Sequence, residues 1–89
     1  MTTTAAPQTA DLLASLKASG ASNGDRDGYE AAKYQMTAEP LPTLDYTDRK
    51  VRDAAWAADI ELTADLYAEA SVVYMDSYRD AYHEAFEAE

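Results

Sequence analysis

Apolar side chains recur through the C-terminal half of the chain with helical spacing. Trp56, Ile60, Ala64, Tyr67, Ser71, Tyr74, Tyr78, Ala81 and Ala85 follow one another at steps of three or four residues, with Met75, Tyr82 and Phe86 beside that line. The steps average about 3.6, so the line stays on one face of an α-helix. Glu61, Asp65, Glu69, Asp76, Asp80, Glu84 and Glu87 fall within one arc opposite. No Gly or Pro interrupts residues 53–89. The pattern predicts one long helix over about residues 48–88, of which the stretch from residue 53 onward would be roughly 55 Å long at 1.5 Å per residue. Leu62, Leu66 and Val73 lie inside the acidic arc, making the middle of this helix apolar on two sides. The alternative is a break near Glu61–Thr63, with Thr63 capping a new helix ahead of Ala64, Asp65 and Leu66.

The N-terminal half is weaker in pattern. Residues 1–8 are small and polar and are expected to form a disordered lead-in, leaving residues 9–89 as a single small helical domain. Thr9 suits an N-cap and Asp11 a first turn, and Leu12, Leu13 and Leu16 form a short apolar stripe. Gly20 stands where a helix ends, so a first helix is expected over Ala10–Ser19. Gly20 to Gly28 then reads as a loop and Tyr29 to Met36 as a second short helix. Glu39-Pro40-Leu41-Pro42 must be extended, a linker expected to bring Leu41 and Leu44 onto the core. Asp45 or Thr47 is expected to cap the next helix, with Arg49, Lys50 and Arg52 answered by Asp45, Asp48 or Asp53. The fold expected is therefore all-α: a long C-terminal helix and one or two short N-terminal helices joined by the extended linker.

Size and charge narrow the function classes. The chain has 89 residues, no Cys and a formal net charge of −10. Disulfides and thiolate metal sites are excluded. Binding to nucleic acid or an anionic membrane is disfavoured, and a basic partner protein is favoured. There is no signal-peptide pattern and no apolar run of spanning length, so a cytoplasmic location is expected. Much of the apolar fraction is Ala, so a core would be marginal alone. Acidic composition also serves solubility, which is the bland explanation of the same charge.

Two groups of residues outside the stripes of the C-terminal helix invite a chemical role. Asn23-Gly24-Asp25-Arg26-Asp27-Gly28 resembles the opening of an EF-hand calcium loop, with oxygen ligands at alternate positions and Gly sixth. That resemblance implies Asn23, Asp25 and Asp27 as ligands. It covers half the loop only, since Tyr34 stands where the family has its bidentate Glu and Glu30 where it has an apolar residue. An ordinary Asp/Asn/Gly turn explains the same residues. His83, the one histidine, lies a helical turn from Asp80 and Glu87, which suits a solvated face as well as a metal pair. With no other His, no Cys and no phosphate loop, no catalytic residues and no cofactor are expected.

The two stripes of the C-terminal helix remain. Tyr67 and Tyr74 are expected in the core. Tyr78, Tyr82 and Phe86 lack enough large apolar residues to cover them, so they are expected to anchor a partner. Glu61, Asp65 and Glu69, and then Asp76, Asp80 and Glu84, recur every fourth residue, about 6 Å apart along the axis and near the spacing of phosphates on one strand. In character, though not in motif, this chain resembles the small acidic nucleic-acid mimics with which phages inhibit host nucleases and CRISPR complexes. The resemblance implies an inhibitor that occludes a basic, nucleic-acid-binding surface of a protein in the host cytoplasm. The alternatives are a structural helical module or homodimer joined through the aromatic stripe, and a calcium-stabilised helix–loop–helix.

Overall fold

Three glycines at four-residue spacing set the architecture. The structure, a computed structural model, describes residues 5–34 and 43–88, with side chains from Thr9 onward. Among the described residues there are three helices and no strand: α1 (Ala5–Lys33), α2 (Leu44–Ala58) and α3 (Ala64–Ala88). The fold is all-α. Of the lead-in expected over residues 1–8, Ala5 to Gln8 are helical and residues 1–4 lie outside the described residues.

α1 runs unbroken through Gly20, Gly24 and Gly28. This corrects the helix end expected at Gly20, the loop over Gly20–Gly28 and the separate helix from Tyr29. These glycines are buried, and a Cβ added to each would sit 2.6 Å from the Tyr74 carbonyl oxygen, 2.2 Å from that of Tyr78 and 2.3 Å from that of Tyr82, respectively. The partner numbers rise together, so α1 and α3 lie parallel with their backbones in contact. Each glycine in a helix interior is unfavourable by about 1 kcal/mol against Ala. Here that loss admits an approach no side chain would allow, the small-residue packing also known from membrane helix pairs. Cα–H···O contacts suit the same geometry.

The expected long helix is two helices, and the break at residues 59–63 is the one that Thr63 signalled. Asp59 adopts the left-handed conformation, φ 57° and ψ 47°. Its N–H bonds back to the Trp56 carbonyl at 3.1 Å and that of Ile60 to Ala55 at 3.0 Å, a Schellman ending with Asp in the usual place of Gly. Thr63 Oγ1 then accepts the Leu66 N–H at 3.2 Å, and Asp65 lies in the first turn of α3. α2 is capped by Thr43, whose Oγ1 accepts from the Tyr46 N–H at 3.1 Å, rather than by Asp45 or Thr47. Thr47 is buried, its hydroxyl donating to the Thr43 carbonyl. Leu44 is 79% exposed and not in the core; Leu41 and the rest of the proline linker lie outside the described residues.

α2 runs antiparallel to the other two. Its Tyr46 ring meets that of Tyr74, its Asp48 accepts from Tyr67, and its Val51 packs with Leu12, Leu16, Ala70 and Tyr74. Arg52 bonds Asp48 at 2.9 Å and covers the Tyr67 ring, answering one of the three bases near the start of α2. Lys50 lies over the Tyr46 ring at 5.3 Å. Beyond the reach of α2, a second cluster of Ala31, Tyr78 and Tyr82, with Phe86 against it, joins α1 to α3 directly.

Gly24→Ala tests this spine. Helix propensity alone would favour Ala by about 1 kcal/mol. Pushing the helices apart at Tyr78 should outweigh that and leave a net loss of about 2–3 kcal/mol. Urea unfolding followed by circular dichroism should show a lowered midpoint, whereas exposed Ser22→Ala should be neutral. A midpoint raised by Gly24→Ala would refute the contact.

Candidate functional site

The four-residue period that brings glycines onto α3 also brings polar groups to its tyrosines. Asn23 and Asp27, one helical turn apart on α1, reach Tyr74 and Tyr78, one turn apart on α3. Asn23 Nδ2 donates to the Tyr74 hydroxyl at 2.8 Å, and the Tyr78 hydroxyl donates to Asp27 Oδ2. Arg26 holds the other oxygen of Asp27 at 3.1 Å. The rings form a ladder, Tyr46–Tyr74–Tyr78–Tyr82–Phe86, with successive centroids 6.4, 6.3, 5.9 and 6.3 Å apart. Such spacing lies in the favourable range for aromatic pairs.

This placement revises two expectations. Tyr78 and Tyr82 are only 6% and 5% exposed, packed on α1 rather than offered to a partner, and Phe86 is half-buried against them. The residues of the supposed calcium loop lie on a continuous helix, where Asn23 and Asp27 turn to the tyrosines. Asp25 projects into another groove, so the three do not converge. Among the described residues no group of three or more His, Asp or Glu is placed to hold a metal. His83 is half-buried with its ring edge-on to Tyr82.

The acids of α3 lie on the side away from the ladder. Asp65, Glu69, Asp76, Asp80 and Glu84 are all exposed. Glu61, expected to begin the row, is exposed in the turn ahead of α3. Arg79 lies 3.5 Å from Asp76 and 3.4 Å from Asp80 and screens those two. Among the described residues no base makes an ion pair with Asp65, Glu69 or Glu84. Asp25 of α1 joins Asp80 and Glu84 along a groove of about 390 Å³, with Lys17 further along it. At the other end, Asp59, Glu61, Asp65 and Glu69 ring a cleft of about 450 Å³ floored by Ile60 and Leu66. Asp25 was missed as a member of this surface because its segment read as a loop.

No protein-family model, curated protein or solved structure matches the chain. Among the described residues no helix is long and apolar enough to cross a membrane.

Burial pushes the Tyr74 phenol up to about 12, against the opposing pull of the Asn23 bond. Tyr78 moves the same way, through burial first and then through its bond to the Asp27 carboxylate. In the unfolded chain these phenols ionise near pH 10. Above that pH the unfolded state binds fewer protons than the folded one, so stability falls as pH rises. The urea midpoint should hold up to about pH 10 and decline steadily beyond it, and Tyr74→Phe should flatten that decline. An alkaline limb equally steep in the variant would show that Tyr74 is not the group responsible.

Proposed function

We propose that the protein is a non-enzymatic binding protein whose outer α3 face occludes a basic, nucleic-acid-binding surface on a partner protein. The observation that carries this is the uneven division of charge among the helices. α1 has four acids and three bases, and α2 three of each. α3 has six acids and one base. Acidity serving solubility alone has no need of one helix, whereas a docking face does.

Asp65, Glu69, Asp76, Asp80 and Glu84 stand for phosphates in this reading, with Asp25 alongside at the Glu84 end. Successive acids one turn apart are about 6 Å apart along the axis. The tyrosines take a different part from the one expected of them. Tyr78 and Tyr82 lie behind the row and tie α3 to α1, which holds the carboxylates on a stiff rod. Pre-ordered charges bind with less loss of freedom than charges on a floppy chain.

The test is displacement. A basic protein captured on the immobilised chain should be released by a short single-stranded oligonucleotide and by raised salt. Asp65→Lys, Glu69→Lys and Glu84→Lys together should abolish capture while the helical circular dichroism persists. Arg79→Gln, by unscreening Asp76 and Asp80, should strengthen it and steepen its salt dependence. Capture that survives the triple reversal, or that an oligonucleotide cannot displace, would overturn the reading.

A further inference from the structure

Trp56 is 87% exposed near the end of α2, an unusual setting for the largest side chain in the protein. It points away from the α2 face that buries Val51 and Ala55. The charges about it follow an order. Arg49 and Arg52 lie one to two turns before it on the same outward face, and Asp59 and Glu61 lie just after it in the turn, all four exposed. Among the described residues Arg49 makes no ion pair, nor do Asp59 and Glu61. Arg52 is held by Asp48 and lies over the Tyr67 ring, yet its side chain stays mostly in solvent.

Bases before an aromatic residue and acids after it make a self-complementary sequence. We infer that this face joins two copies of the chain about a two-fold axis through Trp56. In an antiparallel pairing of α2 with its symmetry mate, the two indoles stack at the axis. Arg52 of each copy then meets the Asp59 region of the other, and Arg49 meets the Glu61 region. Every contact is made twice, as an isologous interface requires. Trp and Arg are the side chains most enriched where interface energy concentrates. Asp45 and Asp53 share the face, each one turn from Arg49, and Asp53 falls opposite Asp59 of the other copy, which tempers the attraction. Together with the short length of α2, this makes the dimer a weak one, forming at micromolar concentrations and above. The inference does not depend on the acidic face of α3, since Asp65, Glu69 and Glu84 play no part in it.

Trp56 is the chain's single tryptophan, so it reports its own burial. Sedimentation of the full chain should show monomer passing to dimer as concentration rises. Trp56 emission should shift to the blue over the same range. Trp56→Ala should weaken the association by about 30-fold or more, the measure of a hot-spot residue, with the circular dichroism unchanged. Arg49→Glu and Glu61→Lys should each weaken it, and the two together should restore it. A chain that stays monomeric with concentration-independent emission into the high micromolar range would overturn the inference. So would a dimer indifferent to Trp56→Ala, or a double charge exchange that fails to restore association.

Discussion

The fold depends on backbone meeting backbone. Gly20, Gly24 and Gly28 let α1 come against the Tyr74, Tyr78 and Tyr82 carbonyls, and that approach fixes the register of the two longest helices. Once it is fixed, Asn23 falls opposite the Tyr74 hydroxyl and Asp27 opposite that of Tyr78 without further adjustment. Close packing and hydrogen bonding therefore select the same alignment. A slip of one turn would keep glycine at two of the three carbonyls and set Leu16 against that of Tyr74. It would also move Asn23 to Tyr78 and Asp27 to Tyr82, and would strand Tyr74. The hydroxyl bonds thus reinforce the register that the glycines already favour. Leaving a buried hydroxyl unpaired costs about 1–3 kcal/mol.

How much of this was legible in the sequence depended on whether the cause was local. The faces of α3 were legible because helical periodicity is a property of neighbours along the chain. So was the capping role of Thr63, with Asp65 in the turn that follows. The path of α1 was not. Gly20, Gly24 and Gly28 carry the marks of chain breakers in every local scale, and Asn and Asp between them strengthen that impression. Their four-residue period was present in the letters, but its meaning lies in a helix fifty residues away. The break after Ala58 was obscure for the converse reason. It is made by Asp59 in a left-handed conformation, where Gly would have announced it.

Tyr78 and Tyr82 show the same limit from the side of packing. A count of large apolar residues finds too few to cover them, which makes an outside partner the natural expectation. The count omits backbone as a covering surface. A glycine face brings the main chain of α3 against that of α1 and draws the Tyr78 and Tyr82 rings in beside Ala31, so two helices bury what would ordinarily take three. Tyrosine suits this arrangement better than leucine, since its hydroxyl reaches past the helix it lies on to Asp27, as that of Tyr74 reaches to Asn23.

The acidic row carries a cost of its own. Asp65 with Glu69, Asp76 with Asp80 and Asp80 with Glu84 are like charges one turn apart, each pair unfavourable by a few tenths of a kcal/mol. Arg79 relieves the middle of the row alone, through Asp76 and Asp80. A helix left to its own propensities would do better with alternating signs, as α2 shows in pairing Asp48 with Arg52. What allows α3 to keep its acids in line is that its other face is held by contacts that do not call on those acids: glycine against carbonyl, ring against ring, hydroxyl against Asn and Asp. The spine thereby offsets the repulsion that the acidic face carries.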